Sequence, residues 1–128
     1  MHLSLSVLPG TLAICRLGPD DPVPDWAQAG DLISITRTSD ELSVVCTEAA
    51  VPDNVKSDRG WRCLKVEGPL DLSLTGVLAS LANPLAGARI NIFAISTFDT
   101  DYLLVKAENL GCATEVLIQS GHRVINLS

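Results

Sequence analysis

The hexapeptide Ser96-Thr97-Phe98-Asp99-Thr100-Asp101 gathers two carboxylates and three hydroxyls. With the carbonyls of a turn, these acceptors suit a cationic ligand group. Upstream, Asp71, Ser73, Thr75 and Gly76 lie where an apolar stripe of helical spacing begins, formed by Leu74, Val77, Leu78, Leu81 and Leu85. A helix start offers free N–H groups and the positive end of its dipole, which suit an anion. An anion site beside a cation site complements a zwitterion, and Phe98 supplies an apolar wall. Each feature also has a plainer origin. Asp99 and Asp101 fit an ordinary turn, Asp71 and Ser73 fit helix caps, and Leu74 and Leu78 fit a core. Gly76, inside the helical pattern, costs about 1 kcal/mol against Ala and implies close backbone approach.

The elements that must position these residues follow from periodicity. Alternating apolar residues predict strands at 2–8, 11–17, 32–38, 42–46, 61–67, 90–96, 102–105 and 122–127. Helical spacing predicts a helix over 72–85, kinked or shortened by Pro84, and a second over 107–120 with Gly121 just past its end. Three prolines in 18–30 leave room for a single turn near 25–28, and Pro52 halts a helical start at 48–51. The polar stretch 53–60 reads as the connection between halves.

The second half is therefore β-α-β-β-α-β, the α+β ferredoxin-like plan of an antiparallel sheet with helices on one face. The first half repeats it in reduced form, which divides the chain into subdomains 1–59 and 60–128. The duplication is visible directly, since Ile35–Cys46 (ITRTSDELSVVC) and Ile95–Lys106 (ISTFDTDYLLVK) align without a gap.

Composition narrows the function classes. In 128 residues, 47% are apolar, enough for a core, and the nine basic residues are scattered in a chain of net charge −6. That balance disfavours phosphate-backbone contact with nucleic acid. No apolar run reaches the ~20 residues of a membrane helix, and the N-terminus lacks the basic region of a secretion signal. Cys15, Cys46, Cys63 and Cys112 form neither a CxxC nor a Cys/His cluster, so neither metal nor disulfide is expected, and the compartment expected is the cytoplasm. His2 and His122 read as structural, and no nucleophile–base spacing or phosphate loop indicates an enzyme. A thiol nucleophile at Cys63 or Cys112 would need a depressed pKa.

The block 60–106, GWRCLKVEGPLDLSLTGVLASLANPLAGARINIFAISTFDTDYLLVK, resembles small bacterial tandem ACT-domain proteins. These are related to the cytosolic arginine sensors of TORC1 signalling and to the regulatory ACT pair of aspartate kinases. LPGTLAICRL and ISITRTSDELSVVC are similar to the N-terminal half of the same group. The resemblance implies a non-catalytic module, without cofactor, that binds a free amino acid where ACT units meet. It places the ligand at 70–76 (Asp71, Ser73, Leu74, Thr75, Gly76), at Val77 and Leu78, and at Thr97, Phe98, Asp99, Thr100 and Asp101. Leu74 stands where the arginine sensors carry an acid, and Asp71 is a partial substitute. The alternative is a ligand-free ACT module that docks a partner enzyme. A homodimer is the simplest assembly, through isologous pairing of an exposed sheet edge.

Overall fold

The computed structural model describes residues 1–71 and 74–126. Its strands are β1 Ser4–Val7, β2 Leu12–Leu17, β3 Ser34–Arg37, β4 Leu42–Thr47, β5 Ser57–Val66, β6 Phe93–Ser96, β7 Asp101–Lys106 and β8 Arg123–Asn126. Helices α1 Val77–Gly87 and α2 Leu110–Gln119 are joined by 3-10 turns at Asp25–Gln28, Glu48–Ala50 and Ala107–Asn109. The chain forms two compact units. Gly10–Trp61 is one, and Met1–Pro9 with Arg62–Ser128 is the other. The first is thus an insertion in the sequence of the second, and they are called here the inserted and the split unit. No described helix is long and apolar enough to cross a membrane.

In the inserted unit the strands lie in the order β3-β4-β2-β5, each neighbouring pair antiparallel. That is the ferredoxin-like order, with 3-10 turns where the two helices would stand. Pro19, Pro22 and Pro24 before the first turn, and Pro52 after the second, leave no run long enough for a helix. Alternate residues of β2 and β4 (Ala13, Cys15, Leu42, Val44, Cys46) face a core closed by Ala27 and Val51.

Residues 53–60 are not merely a connection. Ser57 and Asp58 pair with Cys15 and Ile14, so half of this polar stretch is strand. Its regular alternation is broken by a bulge between Leu12 and Ile14, where Gly60 takes φ 82°, a conformation open to glycine. Glu48 Oε1 accepts the Gly60 N–H at 2.7 Å, replacing the lost ladder bond.

The split unit has five strands in the order β6-β7-β5-β1-β8. A four-stranded plan would set β5 beside β8. Here β1 lies between them, antiparallel to β5 and parallel to β8. The reason is apolar burial: Leu5 and Val7 join Leu64, Val66, Leu81, Leu85, Ile90, Leu103, Val105, Ala113 and Leu117 in one core. A division at 1–59 and 60–128 thus differs from the observed units chiefly in the first nine residues, which pack with the second half.

Helix α1 begins later than the apolar periodicity predicts. Gly76 is its N-cap, not an interior residue, and takes φ 81°. A left-handed residue there stops the helix from extending backwards. The other end runs through Pro84 to Gly87. Pro84 has no N–H, so it cannot bond the carbonyl of Ser80. That carbonyl accepts from His122 Nε2 at 3.1 Å, while His122 Nδ1 accepts the Leu3 N–H at 3.1 Å. Neutral imidazole protonated on Nε2 satisfies both bonds. At 5% exposure, His122 ties β1 to α1 within the unit. His122→Ala leaves two backbone groups without partners, and a loss of about 1–3 kcal/mol is expected in urea unfolding; an unchanged midpoint would contradict this role.

Candidate functional site

The β6–β7 hairpin closes with the pair Ser96–Asp101. Across the turn, Thr97 N–H donates to the Thr100 carbonyl at 2.9 Å. The Thr97 hydroxyl donates to the same carbonyl at 3.0 Å and accepts the Thr100 N–H at 3.3 Å. One threonine side chain therefore does what turn backbone normally does. Phe98 and Asp99 are pushed to the tip, where Phe98 is 79% exposed. Thr100 is buried at 5% exposure, and its hydroxyl donates to the Val66 carbonyl at 2.6 Å.

The connection from β5 to α1 is tied to this turn. Leu70 N–H donates to the Asp99 carbonyl at 2.6 Å. Close approach is possible because of Gly68: a Cβ there would lie 3.0 Å from Leu70 N and 3.1 Å from the Asp99 carbonyl oxygen. Ser96 Oγ donates to Asp101 Oδ1 at 2.7 Å, which orients a carboxylate that retains further acceptor positions.

Between connection and turn lies a cavity of about 210 Å³, lined by Leu70, Asp71, Leu74, Val77, Ser96, Thr97, Phe98, Asp99, Thr100 and Asp101. The structure thus brings together eight residues singled out above: Asp71, Leu74, Val77, Thr97, Phe98, Asp99, Thr100 and Asp101. Leu70 and Ser96 complete the lining. Thr75, Gly76 and Leu78 stand outside it, Gly76 as the helix cap and Leu78 part-exposed on the first turn of α1. Ser73 lies outside the described residues. The hydroxyl of Thr100 is already committed to Val66, so its part is to hold the turn. Among the described residues no three His, Cys, Asp or Glu side chains converge as metal ligands would.

The first unit repeats the turn, one residue off the ungapped alignment. Thr38 N–H donates to the Glu41 carbonyl at 2.9 Å, and the Thr38 hydroxyl accepts the N–H groups of Asp40 and Glu41 at 3.1 and 3.2 Å. Arg37–Leu42 is the closing pair. The true correspondence is Thr38-Ser39-Asp40-Glu41 with Thr97-Phe98-Asp99-Thr100, so Ile35 matches Ala94, not Ile95. A slip of one residue exchanges the two faces of a strand. It also sets Arg37 against Ser96 and Leu42 against Asp101.

The thiols are poor nucleophiles where they are buried. Loss of hydration raises Cys63 to about 12, against a smaller lowering by Lys65. Burial, with the neighbouring Cys46, raises Cys15 to about 11, and burial raises Cys46.

Two ferredoxin-like units, one with full helices and one with reduced ones inserted in its sequence, define the class of fold. The chain belongs to the ACT-domain family, whose model matches residues 56–119; a second model, of an N-terminal domain, matches residues 10–54. The chain is similar to an Agrobacterium tumefaciens protein of known crystal structure, at 39% identity over 100% of this chain and 96% of that one, with a TM-score of 0.95. The regulatory subunit of aspartate kinase from Thermus flavus shares the fold at 13% identity and a TM-score of 0.67, covering 94% of this chain and 99% of that one. The human cytosolic arginine sensor for mTORC1 subunit 1 is 41% identical over 58 residues, which are 44% of this chain. The match spans 18% of the length of that sensor and of its mouse counterpart.

Because Cys112 alone of the four cysteines is exposed, a thiol reagent at neutral pH is expected to modify one sulfur in the folded protein and four in denaturant. Rapid modification of a second in the folded state would show that a buried thiol is reactive.

Proposed function

We propose that the chain is a non-catalytic regulatory module that binds a free amino acid in the cavity beside the β6–β7 turn. One observation carries the reading: Asp71, Asp99 and Asp101 line the same cavity as Val77, the first residue of α1. Asp101, oriented by Ser96, holds the ammonium or a basic side-chain group. The first-turn N–H groups of α1, which have no intrahelical partners, hold the carboxylate. They lie at Val77 and the residues after it, because α1 starts at Val77. Leu74 and Phe98 shape the apolar side. A volume of about 210 Å³ is below the roughly 300–1,000 Å³ of drug-sized sites and suits a metabolite of amino-acid size. The arginine sensors are named for arginine, which makes basic amino acids the first to test.

A second reading has its own observation. Leu74 and Phe98, 49% and 79% exposed, bring apolar surface to the cavity mouth beside part-exposed Leu78. That surface suits a ligand-free module docking a partner enzyme. A thermal-unfolding screen against the twenty amino acids separates the two. A ligand at a hundredfold its Kd stabilises by about 2.7 kcal/mol, a shift of several degrees. A response to one or two amino acids supports the sensor, and silence across the panel supports the docking module. Asp101→Ala is expected to weaken binding of the responding amino acid by about 1–3 kcal/mol while the fold persists. Undiminished affinity would remove Asp101 from the site.

A further inference from the structure

The corner formed by strand–helix connection and hairpin turn occurs twice. Gly18-Pro19-Asp20-Asp21 follows β2 in the inserted unit, and Gly68-Pro69-Leu70-Asp71 follows β5 in the split unit. Each faces a Thr-x-Asp turn with the same threonine-centred hydrogen bonds. What fills the two corners differs.

In the inserted unit the connection is rich in acceptors and poor in donors. Pro19, Pro22 and Pro24 carry no N–H. The N–H of Gly18 is taken by Asp21 Oδ2 at 2.7 Å, and that of Asp21 by the Gly18 carbonyl at 3.1 Å. The carbonyls of Pro19 and Asp21 are met by Arg37, whose Nη1 and Nη2 donate to them at 2.5 and 2.9 Å. Two nitrogens of one planar cation thus grip two carbonyls two residues apart. A lysine ammonium is a point charge and cannot span them in this way. In the split unit the residue at the register position of Arg37 is Ser96, short and neutral, and the leucine across the pair is replaced by Asp101. There the corner holds the open cavity.

We propose that the corner of the inserted unit is a guanidinium-binding site that the chain fills with its own Arg37. The inserted unit is therefore self-liganded, and the ligand class of its corner is a planar guanidinium cation. Arg37 is solvent-exposed, so an emptied corner is open to a small ion. One consequence, that the wild-type chain takes up a single amino acid, rests on the function proposed above for the split unit. The occupancy of the corner by Arg37 does not.

The test is chemical rescue in the full-length chain. Arg37→Ala is expected to lower the thermal midpoint by several degrees. Methylguanidinium chloride at millimolar concentration should raise the midpoint of the variant and leave that of the wild type unchanged. Methylammonium chloride at the same concentration should rescue neither. Failure of methylguanidinium to rescue a variant shown to be folded by circular dichroism overturns the proposal, as does an equal effect of the two ions. If Arg37→Ala does not fold, Arg37→Lys carries the same test. Stability equal to wild type in Arg37→Lys would show that charge alone suffices and would overturn the guanidinium assignment. An amino acid bound once or not at all by wild type bears on the cavity reading only, so the two ideas fail separately.

Discussion

Proline removes a backbone donor wherever it stands, and the carbonyls that lose a partner must find another. Seven prolines in 128 residues make this the constraint on which the rest of the structure depends. The carbonyl that Pro84 cannot reach is met by His122. Those of Pro19 and Asp21 are met by Arg37. Arg59 reaches the carbonyls of Val51 and Pro52 at 3.2 and 3.0 Å, the second of which also accepts the Val55 N–H, and Arg62 reaches that of Leu8, just before Pro9, at 3.3 Å. Of the nine basic residues, Arg16, Arg37, Arg59 and Arg62 bond backbone carbonyls of the chain itself.

The candidate site follows from the same accounting. A turn held by a threonine hydroxyl leaves the Asp99 carbonyl free to receive Leu70 N–H, and that single bond sets the distance between connection and turn. Gly68 permits the approach, and Ser96 aims Asp101.

Much of this was legible in the sequence. Strand alternation located the hairpins because one face of each is buried. The three prolines of 18–30 correctly limited that stretch to one turn, found at Asp25–Gln28. The acid- and hydroxyl-rich hexapeptide does line a cavity with Asp71 and Leu74. The failures have physical causes. Ser57–Gly60 was hidden because a bulge breaks its alternation. The start of α1 was placed too early because apolar spacing continues through Leu74, whereas Gly76 adopts a conformation that a helix cannot use. The ungapped alignment of the two hairpins slipped by one residue because Ile35 and Ile95 match in type while standing on different faces. The paired Gly-Pro-x-Asp connections were the signal that would have aligned both corners, and they were readable in advance.

The pairing of β1 has a consequence for how the chain comes into being. Leu5 is partnered by Val66, and Ser4 by Arg123. During synthesis the N-terminal part of a chain emerges first. Gly10–Trp61 is made before either partner of β1, since β1 pairs with residues 64–66 of β5 and with residues 123–126 of β8. A strand made before the inserted unit thus gains its neighbours only after that unit, and a chain cut short before residue 123 leaves β1 as an exposed edge.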